Sequence, residues 1–111
     1  MVAAVIENDI RTLLDSPSAG EDAPTLVRIE DALTTGYARA MALEAERSRL
    51  ERRLADVAVA LAEEDVALPD AELKRLAQEL RATKGDLAHL RKLLDSLRGR
   101  ADAARAAGCL A

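Results

Sequence analysis

Apolar residues recur at alternating steps of three and four over two long stretches of the chain, residues 26–64 and 73–108. This spacing marks the a and d positions of a heptad repeat, which form the apolar seam between paired helices. Pro69 lies between the two stretches, and the interior of a helix does not accommodate a proline. The pattern therefore predicts two long helices separated by a break at this proline.

A short connection makes two consecutive helices antiparallel neighbours. We therefore expect an antiparallel coiled-coil hairpin over residues 25–108, with one helix at 25–66, the other at 70–106, and a turn near Leu68–Pro69. A hairpin of two helices buries one stripe of each, so we also expect it to associate into a larger helical bundle, such as a four-helix dimer.

The positions that flank the seam support this register. At the e positions the first long helix is mostly acidic and the second mostly basic, so the pairing brings Glu51 beside Lys84 and Glu30 beside Arg105. Exposed ion pairs contribute ~0.2–1 kcal/mol each, so they select a pairing more than they stabilise it. The same register predicts three further neighbours, Arg53 with Asp86, Gly36 with Ala101, and the like-charged Arg39 with Arg100.

The N-terminal segment, residues 1–24, does not continue the heptad pattern. Residues 1–15 place six aliphatic side chains along one helical stripe, and residues 16–24 concentrate Pro, Gly, Ser and acids, which is typical of a flexible linker. An amphipathic helix of this length is marginal in water by itself, so we expect it to dock on the hairpin. Thr25 or Pro24 is the predicted start of the next helix.

Composition agrees with an all-α fold. The 111-residue chain has one Tyr, no Phe and no Trp, and half of its residues are hydrophobic, mostly Ala and Leu. Abundant Ala, Leu, Glu and Arg at helical spacing indicate long helices whose core is a narrow seam of leucines. The length allows one domain.

The b and f positions of the first long helix carry unusually few charges. A face of this kind is expected to be covered, partly by the N-terminal helix and otherwise by a protein partner or a second copy. The other interpretation is that its alanines favour helix and stay in water. The predicted interface residues are Val27, Met41, Ala45, Arg52, Ala55, Val59, Ala62 and Val66.

Acidic residues cluster at the predicted turn. Three of them fall at a helix C-terminus, where the helix dipole disfavours negative charge, so they suggest a basic partner or a divalent ion. A tip that is only solvated is the other interpretation. The predicted acidic tip comprises Glu63, Glu64, Asp65 and Asp70. In general shape, without a shared motif, an acidic-tipped hairpin resembles the bacterial transcript-cleavage factors, and this likeness implies insertion of the tip into RNA polymerase.

Four arginines fall within residues 47–53, which raises the question of nucleic-acid binding. Arg47 occupies a seam position and Arg53 has a predicted partner, which leaves Arg49 and Arg52 facing outward. Acids interrupt the run, and the chain carries a net charge of −4 with a pI near 5.0. A strongly basic stripe is the usual footprint of a nucleic-acid-binding helix, so we do not expect nucleic acid or an anionic membrane as a partner.

No pattern of catalytic or metal-binding residues is recognisable. The single His89 is expected on the outer surface, the single Cys109 allows no internal disulfide, and no His/Cys/carboxylate spacing or glycine-rich phosphate loop occurs. We therefore expect no enzyme activity, no cofactor, no metal and no small-molecule substrate.

These observations favour a non-catalytic coiled-coil interaction or scaffold module that forms homo-oligomers. The alternative is a regulatory factor that inserts its acidic tip into an enzyme or transcription complex. No stretch is long and apolar enough for a membrane span, and residues 1–11 lack the basic start of a signal peptide. A cytoplasmic location is therefore expected, and the Ala, Arg, Leu and Asp bias suggests a bacterial source.

Overall fold

A computed structural model of the protein describes residues 2–64 and 70–110. Within these residues there are three α-helices, α1 (Val2–Asp15), α2 (Leu26–Glu64) and α3 (Asp70–Leu110), and no strand. The predicted all-α fold, with a short N-terminal helix followed by a long helix pair, is confirmed.

The helix boundaries follow from local chemistry. Thr25 caps α2, because its hydroxyl oxygen accepts a hydrogen bond of 3.2 Å from the backbone N–H of Arg28. At its C-terminal end α3 continues to Leu110, beyond the predicted limit at 106, and the alanine-rich run before it favours helix. The predicted turn at Leu68–Pro69 lies outside the described residues.

The chain divides into two compact units. Unit 1 comprises Met1–Ala40 and His89–Ala111, and unit 2 comprises Met41–Ala88. Unit 1 therefore contains three helical segments, namely α1, the first part of α2 and the last part of α3. The described residues of unit 2 belong to the remaining parts of α2 and α3.

Unit 1 has a closed core. The end of α1 lies beside Arg100 and its middle beside His89, so α1 runs parallel to α3 and antiparallel to α2. Aliphatic side chains from all three segments meet between the helices. The buried residues are Ile6, Ile10, Leu13, Ile29, Leu33, Ala40, Leu90, Leu94, Leu97 and Ala101.

Unit 2 has a narrower core because only two helical segments contribute to it. Its buried residues are Leu43, Leu50, Leu76, Thr83 and Leu87. Other seam residues, which lie toward the end of α2 and the start of α3, are only half-buried. They are Leu54, Val57, Leu61, Leu73 and Leu80. Two helices by themselves therefore leave part of this seam in contact with water.

The predicted e-position pairs are present in both units. Glu30 contacts Arg105 in unit 1 at 3.2 Å between carboxylate and guanidinium, and Glu51 contacts Lys84 in unit 2 at 3.9 Å. A second contact in each unit, Gly36 with Leu94 in unit 1 and Arg53 with Glu72 in unit 2, shows that the α2 and α3 segments run antiparallel.

Two other predicted neighbours are wrong. Arg53 pairs with Glu72, at 3.5 Å, and not with Asp86. The side chains closest to the backbone of Gly36 belong to Leu94 and Ile10, and Ala101 is not the nearest neighbour. A heptad pattern looks the same after a shift of seven or fourteen residues. Leu94 precedes Ala101 by seven and Glu72 precedes Asp86 by fourteen, so the spacing by itself could not separate these pairings.

Candidate interaction surfaces

In unit 1, α1 fills a groove between α2 and α3. Ile10 is fully buried and Leu13 is 3% exposed. The groove is deep at this point because Gly36 of α2 has no side chain, so that the Cδ1 atom of Ile10 would lie only 3.4 Å from a Cβ atom at that position. The glycine in the middle of α2 therefore admits both a leucine of α3 and an isoleucine of α1.

Arg100 of α3 holds the C-terminal end of α1. Its guanidinium group donates hydrogen bonds to the carbonyl oxygens of Leu13 at 2.9 Å, Leu14 at 2.7 Å and Pro17 at 2.9 Å. The last carbonyls of a helix have no partners within the helix, and a basic side chain there also complements the helix dipole. The heptad register predicted that Arg100 lies beside Arg39 as an unfavourable pair, and it did not reveal this role. No local sequence motif indicates which side chain binds the end of a helix that is distant in the sequence.

His89 also contacts α1 and is not merely a solvated residue. Its Nε2 atom lies 2.7 Å from a guanidinium nitrogen of Arg11 and 3.8 Å from a carboxylate oxygen of Glu7. Arg11 donates to the Nε2 lone pair when the imidazole is neutral. His89 stays exposed, so it marks the edge of the groove that α1 fills.

α1 reaches only the edge of the outward face of α2. The α2 residues beside α1 are Arg28, Asp31, Ala32 and Thr35, and of these Asp31 alone is at a b or f position. Val27 remains 68% exposed. A short helix buries more apolar surface in the groove between two helices than on the back of one, which accounts for this placement.

The outward face of α2 is also open in unit 2. Met41 is 69% exposed and Val59 is 55% exposed. The "outer face of α2" denotes here the exposed unit-2 residues predicted as an interface, namely Met41, Ala45, Arg52, Ala55, Val59 and Ala62. Val66, predicted to continue this face, lies outside the described residues.

The arginine run of residues 47–53 is spread around α2. Arg47 is half-buried and its Nε atom lies 3.9 Å from a carboxylate oxygen of Glu51. Arg53 reaches Glu72 of α3. Arg49 and Arg52 are exposed, and within the described residues neither takes part in an ion pair. Arg52 is thus the charged residue of the outer face of α2.

The predicted acidic tip is only partly described. Glu63 is exposed, Glu64 closes α2 and Asp70 opens α3, whereas Asp65 lies outside the described residues. Whether the tip binds a partner stays a prediction.

Residues 2–64 and 70–110 contain no group of three or more His, Cys, Asp or Glu residues that could hold a metal ion. In the same part of the chain, no helix combines the length and apolar character that crossing a membrane requires. Comparisons with protein families, with curated proteins and with solved structures find no match.

Proposed function

We propose that this chain is a non-catalytic helical module that self-associates through unit 2 and serves as a protein–protein interaction or scaffold element. The observation that carries the proposal is the contrast between the two units. In unit 1 a third helix covers the seam, and the aliphatic side chains there are buried. Among the described residues of unit 2 there is no third helix, and Leu54, Val57 and Leu61 remain half-buried.

The apolar surface of unit 2 is wide as well as uncovered. Seen down the axis of α2, the heptad positions a, e, b and f follow one another around one side of the helix. In the last turns of α2 the half-buried Leu54 and Leu61 occupy a, whereas the exposed Ala58, Ala55 and Val59 occupy e, b and f. An apolar arc of this width is typical of a helix that packs against further helices.

A second copy fits this surface best. Two hairpins that share their apolar arcs form a four-helix bundle, in which the half-buried leucines become core residues. Small side chains at Ala55, Ala58 and Ala62 allow the helices to approach closely. Arg52, which has no ion pair within the described residues, then faces an acid of the partner.

The sedimentation coefficient of the intact chain tests this proposal. A dimer or larger species at tens of micromolar supports it, and a monomer over the same range contradicts it. We further place the protein in a bacterial cytoplasm, which rests on its composition and its single cysteine.

A further inference from the structure

We propose that the groove filled by α1 is a docking site for the α1 helix of a second copy, so that two chains can exchange their N-terminal helices. This exchange uses unit 1. It is separate from the proposed association through unit 2, and the two can fail independently.

The described side chains of α1 run from Val5 to Asp15. Three of them are buried, namely Ile6, Ile10 and Leu13, two are half-buried and six are exposed. A helix of 14 residues is marginal in water by itself, so α1 depends on the groove for its order. A segment with this share of exposed side chains detaches more easily than the rest of unit 1.

The polar contacts of the groove recognise features that any copy of α1 presents. Arg100 binds main-chain carbonyls at the end of the helix, and His89 contacts Arg11. None of these contacts depends on which chain supplies the helix. An exchanged α1 would therefore make the same interactions, which is why exchange of an identical element is a low-cost route to dimers.

The connection between α1 and α2 has the length that exchange requires. Ten residues, 16–25, separate the two helices, whereas helix connections in bundles commonly have about 2–8 residues. Fully extended, ten residues span roughly 33–36 Å. The linker contains Pro17, Pro24 and a Gly20 at φ 96°. Within the described residues its one hydrogen bond to α3 comes from Arg100 to Pro17, and linker residues at both of its ends line a pocket together with Ala103 and Ala107 of α3. Seven of the ten linker residues are exposed, so extension has to release only the contacts at the two ends.

Cross-linking between full-length chains tests the exchange. On a Cys109→Ser background, one chain carries Arg11→Cys and the other, labelled with ¹⁵N, carries His89→Cys. The two are mixed at increasing concentration, treated with a short bismaleimide, and read by mass spectrometry. We expect an 11–89 cross-link between labelled and unlabelled chains that rises several-fold with concentration.

The matched control replaces His89→Cys with Ala106→Cys, an exposed α3 position seventeen residues, or roughly 25 Å, along the helix from His89. If inter-chain 11–89 cross-links are no more frequent than 11–106 cross-links at every concentration, the proposal is overturned. Glu7→Cys with His89→Cys provides a second pair should Arg11→Cys perturb α1.

A repeat with Val59→Glu in both chains separates this inference from self-association through unit 2. Exchange through the groove should persist when unit 2 no longer associates. Loss of the 11–89 cross-link in that background would show that it depended on contacts in unit 2, and would overturn the exchange while leaving the proposed function standing.

Discussion

The backbone of Gly36 in α2 lies directly against the side chain of Leu94 in α3. A Cβ atom at position 36 would overlap with the Cδ2 atom of Leu94 and would touch Ile10 of α1. Because Leu94 is only 1% exposed, it has little room to move away. The absence of a side chain at Gly36 therefore allows the three helical segments of unit 1 to pack closely at this position.

Gly36→Ala should therefore destabilise the protein. Overpacking costs about 1–3 kcal/mol, which the better helix propensity of alanine offsets by ~1 kcal/mol. Urea unfolding followed by circular dichroism measures the change. In a Leu94→Ala background the same substitution should cost less, because the obstructing side chain is gone.

Gly85→Ala and Gly99→Ala are the matched controls. Both glycines are in α3, and apart from their chain neighbours and the adjoining backbone of that helix nothing lies within 4 Å of a Cβ atom added at either position. Each substitution should stabilise the protein by about 0.5–1 kcal/mol through helix propensity. If Gly36→Ala stabilises the protein as these two do, the close packing described here is wrong.

Ile10→Ala tests whether α1 belongs to the core. Ile10 is fully buried, and truncation of a buried isoleucine costs about 2–5 kcal/mol. Hydrogen exchange of α1 amides should accelerate at the same time, because the helix depends on this anchor. Val5→Ala, at an exposed position of the same helix, should change the unfolding free energy by less than about 0.5 kcal/mol. Equal effects at the two positions would contradict the docking of α1.

Arg100→Ala removes the side-chain donor to the carbonyls of Leu14 and Pro17, whereas the Leu13 carbonyl keeps a hydrogen bond of 3.3 Å from the backbone N–H of Ser16. One hydrogen bond from a charged group contributes about 1.5–3 kcal/mol, and water competes for the half-buried Arg100, so a total loss toward the lower value is expected. Hydrogen exchange should increase in α1 and leave unit 2 unchanged.

Arg98→Ala is the control for Arg100→Ala, since Arg98 is exposed on the same helix. It should leave the exchange of α1 amides unchanged. Arg100→Lys should recover only part of the loss, because an ammonium group does not reproduce the fork geometry of a guanidinium group. Full recovery by lysine would mean that charge, and not the three directed hydrogen bonds, holds the helix end.

The heptad spacing predicted the helices because their apolar period depends only on positions within one repeat, whereas the two ion pairs also needed the register that the break at Pro69 suggested. Glu51 meets Lys84 and Glu30 meets Arg105 as the e positions require. The neighbours of Gly36 and Arg53 depend on which repeat faces which, and a shift by one heptad leaves the apolar pattern unchanged.

The docking of α1 could not be predicted from its own pattern. Its apolar stripe required a partner surface but did not say which one. The outward face of α2 looked suitable because it has few charges, yet the groove at Gly36 buries Ile10 more completely. The roles of Arg100 and His89 follow from that docking, so they were missed together with it.

The central claim is that unit 2 associates with a second copy through the apolar arc of α2. Sedimentation equilibrium of the intact chain and of Val59→Glu tests it most directly, with Gln78→Glu, an equally charged change at an exposed α3 position of unit 2, as the control. A charge buried in a helical interface without a partner costs several kcal/mol, which weakens dimerisation by at least about 100-fold. We expect a dimer for the unsubstituted chain and for Gln78→Glu, and a monomer for Val59→Glu at the same concentration. A monomeric unsubstituted chain, or a Val59→Glu variant that dimerises as tightly as the control, would contradict the account.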